Sequence, residues 1–401
     1  MPATPSAVEM PLSSSYQRFR APETDRLVVQ LTRGEGFTYP LYFFIPSITR
    51  DARYLVYHHA AREEVQLYRL DLATGESRQL THAKCPDTQW RPWCVNSGRG
   101  VLDHRSVLNV PRGCVIYFDG DGREVRSVDV ETLEDQLLFT LPADRDAYGQ
   151  NCTTPDGQWF IYIHTPLGSE YGQPCQGAAV VAYNFDTCEH RELCRIDSAV
   201  FHVAAYDNEH FIVSHPAEHA GMLWTDMSSG RAVLLRDGDP GVRGHLIHCH
   251  ATPRGIVYEV AEEQRGGLYD PFTRRRFEFS FPPQIQYVHT GRDPEGRLFF
   301  YENSTGWAKF DTHDLWALVR LNRGGTDHWL RLTGNWPTYG GGQKAHFHPQ
   351  LTPDRKWILF TGGDPATQTA HIFLLDVSDL QDSEGIGVNL LSATGANDWL
   401  R

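Results

Sequence analysis

Thr352-Pro353-Asp354-Arg355-Lys356-Trp357-Ile358-Leu359-Phe360, with Ile372-Phe373-Leu374-Leu375-Asp376 behind it, is a phrase that the chain writes more than once. A turn rich in Pro, Asp and Gly leads into a short apolar and aromatic strand. A variable loop, a second strand ending in Asp, a tight turn and a third strand follow. Near the other end the same phrase reads Thr49-Arg50-Asp51-Ala52-Arg53-Tyr54-Leu55-Val56-Tyr57, then Leu67-Tyr68-Arg69-Leu70-Asp71-Leu72-Ala73-Thr74-Gly75-Glu76. Weaker copies begin near Asp119, Thr154, Asp207, Thr252 and Asp293.

The copies recur at roughly 40 to 55 residues, which is the period of four-stranded propeller blades. Capped runs of helical period are hard to find, which disfavours an α/β fold. The pattern predicts an all-β protein, a seven-bladed β-propeller, with residues 1–401 forming one domain. Within residues 1–32, the strand Leu27-Val28-Val29-Gln30-Leu31 is expected to complete the last blade and close the ring, removing the free sheet edges.

Composition narrows the function. The chain carries 37 Lys and Arg against 50 Asp and Glu, 37 − 50 = −13, spread along its length. No nucleic-acid partner is expected of such a surface. An acidic sugar remains compatible, because local Arg, Lys or a metal outweighs net charge inside a cleft. Aromatic residues at 12%, including 10 Trp, suit a sheet core or a carbohydrate-stacking surface. The opening MPATPSAVEMPLSSSYQRFR is polar and rich in Pro and Ser, so no signal peptide and no membrane span is read there. Eight cysteines lack any C-x-x-C pair, and reduced thiols in a cytoplasmic protein are the expectation. Oligomeric state is not legible.

Gly340-Gly341-Gly342-Gln343-Lys344-Ala345-His346-Phe347-His348-Pro349 carries the chemistry. On an extended segment His346 and His348 project to one face, which is the geometry of two ligands on one metal ion. Gln343, just past a Gly run that permits a sharp bend, is placed to add an amide oxygen. Histidines recur at the same offset ahead of other blade turns: His289 before Asp293-Pro294-Glu295-Gly296, His248 and His250 before Thr252-Pro253-Arg254-Gly255, and His202 before Asp207-Asn208. A propeller brings such positions to one mouth, so convergence explains them better than core packing does.

Gln343-x-x-His346-x-His348-Pro349, the upstream His289, the repeats and His248 before its turn together resemble the oligogalacturonate lyases. The resemblance runs from Leu31-Thr32 and the expected strand Tyr42-Phe43-Phe44 to the last blade and is tightest over 340–362. It implies a seven-bladed propeller that binds manganese through three His and one Gln and cleaves short galacturonides by β-elimination. By resemblance the metal ligands are His289, Gln343, His346 and His348, and the catalytic base is His248, with His250 as its alternate. His202, His215 and Lys344 are candidate substrate contacts. Two departures stand out. His248-Cys249-His250-Ala251 replaces the family's H-E-F-W, and no Arg stands near Met222, where the family keeps one against the substrate.

β-Elimination from a uronic acid needs its carboxylate neutralised, a base at C5 and a proton for the leaving O4. A divalent ion serves the first need and a neutral His the second. The ligand set implied by the resemblance contains no protein anion, and spacing alone does not separate Mn²⁺ from Zn²⁺, Fe²⁺ or Ni²⁺. The alternatives are a metal-dependent propeller enzyme for another uronic acid and a non-catalytic binding propeller. A propeller hydrolase is disfavoured, for the chain has no G-x-S-x-G elbow.

Overall fold

The computed structural model describes residues 8–86, 99–102, 105–169, 174–198, 202–214, 222–230, 232–234, 246–260, 264–273, 276–285, 287–304, 312–319, 328–339 and 346–380. The described residues fold as antiparallel sheets whose strands follow chain order, the arrangement of a β-propeller. The described residues include a short helical element, the 3-10 turn Ser378–Leu380.

The repeated phrase owes its shape to one hydrogen-bond pattern. In Thr352-Pro353-Asp354 the Thr352 hydroxyl donates to Asp354 Oδ1 (2.6 Å) and accepts from the Trp357 N–H (3.2 Å), while the Lys356 N–H donates to Asp354 Oδ1 (3.1 Å). Thr154 and Asp156 repeat the hydroxyl-to-carboxylate bond at 2.6 Å, as do Thr49 and Asp51. Side chains that bond their own backbone fix such turns.

The turns feed strands that lie in the middle of a blade. Trp357–Asp364 and Thr369–Asp376 are buried at every residue but their ends, because a middle strand is covered on both faces by neighbouring blades. Outer strands such as Asp135–Thr140 are largely exposed. Gln150 pairs in parallel with His202, joining two runs of four antiparallel strands into one eight-stranded sheet, and Arg292 forms an isolated parallel bridge with Gln350.

The ends of the chain meet in one sheet. Val28, Val29 and Gln30 pair antiparallel with Leu375, Leu374 and Phe373, and Gln17–Arg20 adds a further strand outside Leu27–Gln30. Ala21 and Val28 share a hydrophobic cluster with Phe360, Phe373 and Leu375. Arg26 fastens the seam from outside, with two bonds to the Asp379 carboxylate (2.6 and 2.8 Å) and one to the Asp376 carbonyl (2.9 Å).

Tyr42-Phe43-Phe44, expected as a strand, is a buried turn with the Ile45 N–H bonded to the Tyr42 carbonyl (2.7 Å). Gln350 on the last sheet's first strand holds it. Its amide N–H₂ donates to the Leu41 carbonyl (3.1 Å), and its oxygen accepts from the Ser47 N–H (3.1 Å).

Candidate metal centre

His289 lies on the strand Tyr287–Thr290, directly across from Glu302 on Phe299–Ser304. Opposed residues of an antiparallel pair share a face, so an imidazole and a carboxylate stand side by side in the interior, at 1% and 0% exposure. The strand leaves through Gly291, where a Cβ would drive into the Phe300 ring; only glycine lets the backbone pass that close.

His346 and His348 arrive from the last sheet by another route than the expected extended strand. Residues 346–349 lie outside any strand, and His348 adopts a left-handed φ of 44°. The non-glycine strain is of order 1–3 kcal/mol. Here it sits ahead of a proline that itself disfavours compact backbone. Three contacts hold the segment. The His348 N–H donates to Glu302 Oε2 (3.2 Å), the Thr361 N–H to the Phe347 carbonyl (2.9 Å), and the Arg292 N–H to the Pro349 carbonyl (2.9 Å). Phe347 points the other way, onto Phe360 at 5.0 Å.

The three imidazoles converge. Ring centroids lie 4.5 Å apart for His289 and His346, 5.4 Å for His289 and His348, and 5.6 Å for His346 and His348. Donor atoms of His289, Glu302 and His346 all fall within 4.8 Å of one another. Imidazole nitrogens with one carboxylate are a donor set that a divalent transition ion accepts. The residues therefore fit a metal.

Glu302, which the sequence reading did not name, sets a buried carboxylate against these rings. Its Oε1 accepts the Nδ1–H of His346 (2.7 Å) and lies 2.8 Å from His313 Nδ1, and its Oε2 lies 3.6 Å from His289 Nδ1. Burial alone would raise its pKa, but the surrounding imidazoles of His346, His289 and His313 outweigh it and hold the carboxyl well below the usual range. Since the carboxylate only accepts, it fixes the proton of His346 on Nδ1 and leaves the lone pair on Nε2. Neither Glu302 nor His313 was singled out from sequence. The available signal was the register across the Asp293 turn, which sets Glu302 opposite His289.

The remaining candidates divide. Gln343, Lys344 and His215 lie outside the described residues. His202 is buried, with Nε2 3.1 Å from the Tyr42 hydroxyl; Tyr42 stacks on it at 5.2 Å and meets His348 edge-on at 5.0 Å. His202 thus stands across one tyrosine from the histidine cluster. The backbone of His248 lies in Leu246–Thr252, whose register slips between Ile247 and His250. The extra residue is a bulge, which interrupts the regular alternation of the backbone between residues 247 and 250. His250 is buried, its Nδ1 lies 3.2 Å from Thr290 Oγ1, and burial together with the Arg292 charge pushes its pKa down to about 3. An imidazole so depressed is a weak proton acceptor.

No protein-family model matches the chain. Among curated proteins it is 22% identical to oligogalacturonate lyase of Dickeya dadantii (strain 3937), over 90% of this chain and 97% of the relative. It is 21% identical to oligogalacturonide lyase of Pectobacterium atrosepticum, over 89% and 96%. Among solved structures, an oligogalacturonate lyase in complex with manganese superposes with a TM-score of 0.72 at 21% identity, covering 92% of this chain and 98% of that one. The oligogalacturonate lyase of Vibrio parahaemolyticus gives 0.72 at 20% identity, covering 91% and 97%. The chain thus shares the fold of the oligogalacturonate lyases and resembles them in sequence along nine-tenths of its length.

Proposed function

We propose that this protein is a metal-dependent lyase that cleaves short oligogalacturonides by β-elimination. The observation that carries the reading is the buried convergence of His289, His346 and His348 on Glu302, in a chain similar throughout to oligogalacturonate lyases. His289, His346 and His348 would hold the ion, with Gln343 as fourth ligand. Mn²⁺ is the assigned metal, because a relative of the same fold was solved in complex with manganese. When bound, a divalent ion draws electron density from the substrate carboxylate and acidifies the neighbouring C5–H.

The chain's own residues supply the rest. His248, one sheet before His289, takes the C5 proton; the C4–O bond breaks as the C4–C5 double bond forms, and the departing oxygen takes up a proton. Glu302 keeps His346 oriented and His348 in its strained backbone. His202, His215 and Lys344 would contact the acidic sugar.

The reading extends to architecture. Divided at its parallel pairing of Gln150 with His202, the eight-stranded sheet becomes two antiparallel sets of four, which supports a ring of seven blades; a single domain over residues 1–401 is part of the same proposal. The seven described cysteines are free thiols, which suits a cytoplasmic protein. No helix among the described residues is long and apolar enough to cross a membrane.

The test is incubation with saturated oligogalacturonides while recording the ultraviolet absorbance of the unsaturated product, before and after chelation and with Mn²⁺ restored. Absorbance that rises, stops with the chelator and returns with Mn²⁺ is expected; turnover that survives complete metal removal rules the mechanism out. Met222 occupies the position where the family's substrate Arg is expected, which favours a second reading, the same elimination on another uronic acid. Oligomers of other uronates, run beside the galacturonides, decide between the two.

A further inference from the structure

A second site lies where the first strands of two sheets end. Ser47, Ile48, Arg50, Arg292, Pro294 and Leu351 are among the residues around a cavity of about 250 Å³, and none of the histidines of the metal cluster lines it. Gln350 contributes a wall as well, and its amide ties down the Tyr42 turn that packs against His348.

The charges around this cavity are unequal in their pairing. Arg355 is bonded to Asp293 (2.9 Å) and sits 3.5 Å from Glu295, whose carboxylate also meets Arg297 at 2.8 Å. Arg292 and Arg50 have no such partner: among the described residues neither side chain takes part in a hydrogen bond or ion pair. Arg50 is exposed, whereas Arg292 is half-buried, with its backbone locked between Pro349 and Leu351. Burial lowers the Arg292 pKa to about 10, opposed by the adjacent Asp293. A half-buried cation beside an open cavity, with no hydrogen-bonded or ion-paired anion among the described residues, favours an anion from solution. Pro46, Ile48, Val110, Pro294 and Leu351 make most of the remaining wall apolar.

We propose that this cavity binds a small organic monocarboxylate, its carboxylate on the Arg292 guanidinium with Arg50 at the rim, and its apolar body against the proline, isoleucine and leucine walls. A guanidinium grips a carboxylate in two parallel bonds, and the apolar walls disfavour a fully hydrated ion such as phosphate. The site shares no side chain with the metal cluster and is separable from it by mutation.

The full-length protein is titrated calorimetrically with benzoate and, separately, with inorganic phosphate. Saturable binding of benzoate at one site, tighter than phosphate, is expected. His346→Ala keeps it, Arg292→Gln weakens it by about tenfold or more, the loss expected for a charge-assisted bond, and Arg50→Ala weakens it less. Absence of saturable benzoate binding by the folded wild type overturns the proposal. So does a preference for phosphate, or benzoate binding that disappears in His346→Ala and survives in Arg292→Gln, which would put the carboxylate on the metal. Should Arg292→Gln fail to fold, Arg50→Ala decides, and unchanged affinity in that variant overturns the site.

Discussion

Glu302 does three jobs with two oxygens: it holds the His346 ring, meets the His313 ring and bonds the backbone of His348. Glu302→Gln keeps the shape but replaces an acceptor that suits every neighbour with an amide that must turn an N–H₂ toward one of them. Metal affinity, read by calorimetry or electron paramagnetic resonance of Mn²⁺, should fall by about 10- to 100-fold, as for other residues that orient a ligand. Unchanged affinity would show that His346 needs no such hold. His250 offers an independent test through acid stability. Its folded pKa of about 3 lies below the ordinary 6.5, so between those values the unfolded chain binds a proton that the folded chain refuses. Stability contributed by the neutral ring is complete above pH 6.5 and is lost as pH falls through that window, by at most about 1.4 kcal/mol per pH unit. His250→Asn should flatten the fall of the urea midpoint across the window, and a slope equal to the wild type's would contradict the assignment.

At the scale of elements, the Thr-x-Asp turn was the most readable feature of the chain, because its bonds run within a few residues and leave a local signature. Asp156→Ala should cost about 1–2 kcal/mol by urea unfolding, since it strips the Thr154 hydroxyl and the Gln158 N–H of their acceptor. His289 and His348 were readable for a similar reason, each standing four residues before its turn at Asp293 and Thr352. Glu302 and His313 were not, since their meaning depends on which residue the opposing strand presents, and register is set by pairing over the hairpin as a whole. The same limit hid the bulge at His248-Cys249 and the left-handed His348, where one residue's departure from extended geometry redirects its neighbours. Gly291 is the intermediate case: a lone glycine between His289-Thr290 and Arg292 signals a close approach, though only the fold says that the neighbour is Phe300. Gly291→Ala should disturb both flanking sites together, lowering the urea midpoint by the equivalent of about 1–3 kcal/mol and weakening Mn²⁺ binding.

For the molecule as a whole, pairing Val28–Gln30 with Phe373–Leu375 couples the first sheet positions to the last. A far-ultraviolet circular dichroism spectrum should show strand with little helix, and heating should give one cooperative transition. Removing residues 1–31 exposes the long edge of Thr369–Asp376, and the truncated chain should melt earlier and associate through that edge. A truncated protein that stays monomeric with the same melting temperature would mean that the seam contributes nothing. Arg26→Ala is the gentler probe, expected to cost about 0.2–1 kcal/mol because the Asp379 side of the pair is exposed.

The seam also imposes an order in time. During synthesis the strand Leu27–Gln30 emerges long before its partner Thr369–Asp376. At ordinary ribosome speeds the gap is on the order of a minute or less. Through that interval an apolar strand waits with one edge bare, beside blades that are already assembling. Val28 and Val29, fully buried in the folded protein, stay uncovered on that edge until then, and the histidine cluster cannot gather until residues 287–349 have also been made.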